Sequence, residues 1–100
     1  MVRKELKNGF WVVIPFYNEE KLIEQTLGAL KSQSDSDFTI LCVNNSSTDK
    51  SPQIVRNYIK SDPQVHVKMV SETQKGTGAA SDTGFGYAIS KGASVVARTD

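Results

Sequence analysis

Four short apolar runs alternate with stretches in which apolar residues recur every three or four positions. The first run, Phe10 to Ile14, is apolar at every position and is stopped by Pro15, a pattern that predicts a strand buried on both faces. A helix is predicted from Glu19 to about Ser32, with Asn18 placed to cap it and Glu19 and Glu20 in its first turn. Leu22, Ile23, Leu27 and Leu30 form its apolar face. The polar turn 32–37 leads to a second run, Phe38 to Val43. After the polar stretch Asn44 to Asp49, Ser51 stands at a cap position with Pro52 at the first helical position. Ile54, Val55, Tyr58 and Ile59 then make the stripe of a second helix, which Asp62 and Pro63 end.

In the third run, Val65 to Val70, Val65, Val67 and Met69 alternate with His66 and Lys68. This predicts a strand near an edge of the sheet, with His66 a solvent-facing residue and not a catalytic base. The loop Glu72 to Gly78 opens a third helix running to about Lys91. Ala80, Gly84 and Ala88 give it a smooth face for close packing on a sheet. Gly84 and Gly86 each cost the helix about 1 kcal/mol relative to alanine, so a packing or ligand reason is expected for them. The fourth run is Ser94 to Arg98. The order βαβαβαβ, with short connections and no linker or repeat, predicts one α/β unit: a Rossmann-like, mostly parallel sheet with flanking helices.

Composition narrows the setting without naming a ligand. One hundred residues make one domain or part of one. Twelve basic residues against 11 acidic ones leave a net charge of +1, so no basic patch points to a nucleic acid. The single cysteine, Cys42, lies inside the second apolar run; it forms no internal disulfide and reads as a buried thiol in a reducing compartment. Phe10 to Phe16 is too short for a membrane span or signal peptide and contains Pro15. The expected location is the cytoplasm or the cytoplasmic face of a membrane, where the sequon Asn45-Ser46-Ser47 would be idle.

Ligands of open α/β sheets bind at the carboxyl ends of the strands. The segments just past each run are Pro15 to Glu19, Asn44 to Asp49, Ser71 to Gly76 and Thr99-Asp100. Together they hold an aromatic ring, amides, hydroxyls, a lysine and carboxylates. That inventory suits a nucleotide and a polyhydroxylated group better than an apolar ligand. Each residue also has a plainer use. Tyr17 could be a core aromatic at a strand end, Asn44 to Asp49 could be ordinary turn chemistry, Glu19 and Glu20 could complement a helix dipole, and Gly76 and Gly78 could serve loop geometry alone.

Four segments in order resemble the motifs of the family-2 glycosyltransferases, which have the GT-A fold. They are Val12-Val-Ile-Pro-Phe-Tyr-Asn-Glu-Glu20, Asn44-Asn-Ser-Ser-Thr-Asp49 in the place of an Asp-Asp-Gly-Ser-Thr-Asp turn, Gln74-Lys-Gly-Thr-Gly-Ala-Ala-Ser-Asp-Thr-Gly84, and Ala97-Arg-Thr-Asp100 at the approach to an Asp-x-Asp metal motif. The likeness runs from Trp11 onward.

The resemblance implies sugar transfer from a nucleoside-diphosphate donor, usually with inversion and with Mg²⁺ or Mn²⁺ on the diphosphate. It sets Pro15, Tyr17 and Glu19 beside the base and ribose, Asn45 at the base edge with Asn44 next to it among the nucleotide-binding residues, Lys75 and Gly76 flanking the nucleotide, and Asp100 as the first residue of the metal motif, near the ribose. The direct metal ligand and the general base would lie beyond Asp100, so residues 1–100 are expected to be the N-terminal part of a GT-A domain. They should bind nucleotide without catalysing transfer, and an open sheet edge predicts a homo-oligomer. The acceptor stays unassigned.

Two positions depart from the family pattern. Asn44-Asn45 replaces two aspartates, and an amide, which both donates and accepts, could match the adjacent N–H and carbonyl of uracil. Ser81-Asp82 replaces Arg-Asn, leaving phosphate charge to Lys75 or to residues outside the chain. Two other readings compete. Gly76-Thr-Gly-Ala-Ala-Ser81 approximates the glycine fingerprint of NAD(P)-dependent oxidoreductases, with Asp100 at a suitable distance. Against this, Ser81 stands for the third glycine or alanine, a polar loop separates Val70 from Gly76, and the segment follows the third strand. The other reading is a non-catalytic nucleotide-binding or interaction module.

Overall fold

A computed structural model describes residues 9–31, 38–61 and 67–98. The expectations for the turn 32–37, for Asp62, Pro63, Val65 and His66, and for Thr99 and Asp100 lie outside these residues. Strands β1 (Phe10–Phe16), β2 (Thr39–Asn44), β3 (Val67–Ser71) and β4 (Val95–Arg98) alternate with helices α1 (Glu20–Lys31), α2 (Ser51–Ser61) and α3 (Thr77–Ser90). The sheet is parallel throughout, in the order β3-β2-β1-β4. The chain thus builds outward from β1 to β3, then crosses back so that β4 joins the other side of β1. That reversal is the point at which open α/β sheets form a crevice.

Both faces of β1 are buried, and its side chains sort by parity. Val12, Ile14 and Phe16 join Ile40 and Cys42 of β2, Ile23 and Leu27 of α1 and Val55 of α2 in one core. Trp11 and Val13 join Leu41, Val43 and, from α3, Ala80 and Ala88 in the other. Helices α1 and α2 therefore cover one face and α3 the opposite one. Cys42 is fully buried, and that burial pushes its thiol up to about 12, so it stays protonated and inert as the sequence predicts. β3 is an edge strand with Lys68 exposed, as its alternation implies.

Several boundaries differ from expectation for local reasons. β1 continues through Pro15 to Phe16. The Phe16 carbonyl accepts from the Asn45 N–H at 2.9 Å, so Phe16 turns its polar groups to β2 and Pro15 turns its own toward the β4 side. Among the described residues pairing with β4 runs only as far as Val13↔Arg98, so Pro15 lies past the described part of that ladder. Asn18 does not cap α1. It sits at φ 49° and turns its side chain away, while Glu19 supplies the carbonyl that starts the helix. Leu22, expected in the apolar face of α1, is 49% exposed. At α2 the capping oxygen comes from Asp49, which accepts the Ser51 N–H at 2.9 Å, and not from Ser51.

Gly84 and Gly86, two of the three glycines of α3, separate cleanly. A Cβ on Gly84 would stand 2.5 Å from Val13 Cγ1 and 3.0 Å from Val43 Cγ2, so the helix lies on β1 and β2 only because that position carries no side chain. A Cβ on Gly86 would meet nothing within 4 Å. Gly84→Ala should therefore destabilise the fold by about 1–3 kcal/mol. Gly86→Ala should stabilise it by up to about 1 kcal/mol. Urea denaturation of the two variants beside wild type reads the opposite signs.

Candidate functional site

Three loops emerge at the carboxyl ends of β1, β2 and β3, and the chain's polar residues lock them to one another. The Asn18 carboxamide oxygen accepts the N–H groups of Thr48 at 2.7 Å and Asp49 at 3.2 Å. The Asn18 N–H is itself held by Ser47 Oγ at 3.0 Å. Ser51 Oγ accepts the Glu19 N–H at 2.8 Å and donates to Asp49 Oδ1 at 2.5 Å. The Lys50 N–H reaches Glu20 Oε1 at 3.4 Å, so Glu20, expected only to complement the α1 dipole, also ties the loops together. These contacts join the β1–α1 loop to the β2–α2 loop.

The second junction joins the β2–α2 loop to the β3–α3 loop. The Glu72 N–H donates to the Asn44 carbonyl at 2.9 Å, extending the β2–β3 ladder by one bond. Asn45 is 7% exposed, and its Nδ2 donates to the carbonyls of Glu72 (3.1 Å) and Gln74 (2.8 Å). Its Oδ1 accepts the Gly76 N–H at 3.0 Å. Ser46, at φ 66°, places its hydroxyl 3.4 Å from the carbonyls of Glu72 and Thr73. Thus the carboxamide set against a uracil edge by sequence has both donor hydrogens committed to backbone and keeps only a lone pair on Oδ1. As the sequon asparagine it is equally engaged. Asn44 serves the turn, its Oδ1 accepting the Ser47 N–H at 2.9 Å.

A half-open cleft lies beside this junction, lined by Pro15, Phe16, Tyr17, Glu19, Asn45 and Thr77. Of the residues singled out by sequence, Pro15, Tyr17, Glu19 and Asn45 meet there. Asn44 lies just behind them. Lys75 is exposed and Gly76, at φ 122°, precedes α3, but neither lines the cleft. Asp100 lies outside the described residues. Tyr17 is 49% exposed, which excludes the core-aromatic reading and leaves the side chain accessible at the cleft. Thr77, at the first turn of α3, is a wall residue that pattern reading missed; only its place past the glycine loop could have pointed to it. Gly76 gives α3 no side-chain cap.

Two carboxylates near the cleft are held ionised. The Thr83 hydroxyl and then the Gln74 N–H, by donating to Glu72, keep its carboxyl below the usual carboxylate range. Partial desolvation pulls Asp49 upward, but donation from the Ser51 hydroxyl and N–H outweighs it and leaves that group lowered too. No group of three or more His, Cys, Asp or Glu among the described residues could hold a metal ion, so the described cleft does not fit one by itself. No helix among the described residues is long and apolar enough to cross a membrane.

A cleft at the strand ends beside a sheet reversal is where open α/β sheets hold their ligands, and comparison with known proteins supplies the family. The model for "Glycosyl transferase family 2" matches residues 11–100. The chain is a member of that family. It is 33% identical over 74 residues to the uncharacterized glycosyltransferase EpsJ of Bacillus subtilis, a match covering 74% of this chain and 21% of EpsJ. It is 38% identical over 81 residues to the dolichyl-phosphate beta-glucosyltransferase ALG5A of Trichomonas vaginalis, covering 73% of this chain and 25% of that protein.

Among solved structures, the mannosyltransferase PcManGT of Pyrobaculum calidifontis, in complex with GDP-Man and Mn²⁺, superposes with a TM-score of 0.73 at 29% identity, covering 79% of this chain and 24% of its own. TarS of S. aureus, residues 1–349 in complex with UDP, gives 0.73 at 28% identity, covering 91% and 26%. The neighbours are GT-A glycosyltransferases, and the parallel sheet with flanking helices expected from sequence is their fold. The chain spans about a fifth to a quarter of the length of these relatives.

The lowered carboxyls give the fold an acid limb. Folded pKa values below the unfolded ones, about 3.9 for Asp and 4.3 for Glu, add stability that is present at neutral pH and lost as pH falls through the folded values. The melting temperature should drop as pH falls below about 4. Glu72→Gln should melt lower than wild type at pH 7, and the gap should narrow towards about pH 3, as calorimetric melts across that range would show.

Proposed function

We propose that this chain is the nucleotide-binding N-terminal part of a glycosyltransferase that takes its sugar from a nucleoside-diphosphate donor, with a uridine nucleotide as the first candidate. The observation that carries the reading is the cleft itself. An exposed aromatic ring, Tyr17, a carboxylate residue, Glu19, the amide of Asn45 and the hydroxyl residue Thr77 converge at the strand ends of a family-2 chain. A base would lie against Tyr17, with Pro15 and Glu19 bordering base and ribose. The diphosphate would run toward the uncapped start of α3, whose free N–H groups favour anions, and toward Lys75.

Transfer would have an acceptor hydroxyl attack the anomeric carbon as the nucleoside diphosphate leaves, with a carboxylate taking the hydroxyl proton. A divalent cation would offset the charge on the leaving group. Neither that base nor a cation site is assigned to a described residue. Complexes of the structural neighbours with GDP-Man and Mn²⁺ and with UDP support this reading.

Titration calorimetry should show UDP binding to the protein, and a thermal-shift assay should show stabilisation by UDP and none by NAD. Stabilisation by NAD alone would replace the reading with the oxidoreductase one. Tyr17→Ala should weaken UDP binding about tenfold, the loss expected for one base–aromatic stack, with no fall in melting temperature, because the ring is not part of either core.

A further inference from the structure

The family pattern puts an acidic pair where this chain has Asn44-Asn45, and the structure shows what an amide does there that an acid could not. Asn45 faces two backbone carbonyls, those of Glu72 at 3.1 Å and Gln74 at 2.8 Å, and one backbone N–H, that of Gly76 at 3.0 Å. Two donors and one acceptor are required, and a carboxamide is the side chain of this size that supplies them. A carboxylate would set two anionic oxygens against two carbonyls. At 7% exposure the residue has little water to substitute for a lost partner. The segment it holds, Glu72 to Gly76, leads straight into Thr77, a wall of the cleft, and into the first turn of α3.

We propose that Asn45 is the positioning residue of the cleft: its carboxamide fixes the β3–α3 loop, and so the start of α3, against the β1 and β2 ends, and does not read the base. This rests on the nucleotide-binding reading above for its effect on affinity, but not for the clamp itself. Tyr17 then takes the face of the base, and its edge is left to backbone of the β1–α1 loop.

The test compares wild type with Asn45→Asp and Asn45→Ala. Native-state hydrogen exchange, without ligand, should show the Gly76 amide protected in wild type and exchanging at least about tenfold faster in both variants, the loss expected for one buried hydrogen bond. UDP affinity by calorimetry at pH 7.5 should fall about tenfold or more in both. On lowering the pH to 5.5, Asn45→Asp should regain part of its affinity, because a protonated carboxyl recovers one donor, whereas Asn45→Ala should not.

The charged groups on the surrounding elements are Glu19 on the β1–α1 loop, Asp49 and Lys50 on the β2–α2 loop, Lys68 on β3, Glu72 and Lys75 on the β3–α3 loop, and Asp82 on α3. All are common to the three proteins, so a pH response found in Asn45→Asp alone belongs to position 45. A residue that read uracil directly would behave in the opposite way. Asn45→Asp would then bind UDP as tightly as wild type or tighter at pH 7.5, by accepting the base N–H, with Gly76 exchange unchanged, and that result would overturn the proposal. A wild-type Gly76 amide exchanging as fast as that of exposed Lys75 would also overturn it, whether or not the variants fold. If wild type binds no nucleotide, the functional reading fails, while the exchange data still decide the clamp.

Discussion

Everything in this molecule hangs on β1 being covered from both sides. A parallel strand at the centre of a sheet has no wet face, so α1 and α2 must lie on one side of it and α3 on the other. The tightest point of that sandwich is Gly84 over Val13 and Val43, where backbone meets strand side chains with no room for a methyl group. Close approach there brings the start of α3 down to the strand ends. A helix held farther off would put Thr77 and Gly76 beyond reach of Asn45, and the cleft would lose a wall.

The strand ends show how little covalent chain is needed to make a defined polar site. Three short loops exchange hydrogen bonds through Asn18, Ser51 and Asn45. Each of these side chains satisfies backbone groups of a neighbouring loop, so local strain such as the left-handed backbone at Asn18 and Ser46 is compensated from outside the loop. The result is a rim of satisfied polar groups around Tyr17 and Glu19. Such a rim suits a ligand that is flat at one end and polar throughout, which is what the proposed nucleotide requires.

Runs of apolar residues and their periods are local quantities, and they determined the order of elements, the parallel sheet, the edge position of β3, the buried thiol and the smooth face of α3. Ordered motifs likewise pointed to the family and to Pro15, Tyr17, Glu19 and Asn45 as neighbours. What a side chain does once it arrives is not local. Asn18 and Ser51 looked like caps for the helices that follow them, because sequence offers only near partners, and in the fold each also binds a group about thirty residues away. Leu22 satisfied the helical period yet is half exposed, since a period marks a face and not how far its neighbours reach over it. Asn45 was legible as a site residue, but whether its amide faced a ligand or a loop depended on where the carbonyls of Glu72 and Gln74 came to rest. That was fixed only when β3 paired with β2, because a hydrogen bond is decided by distance and direction in space and not by separation along the chain.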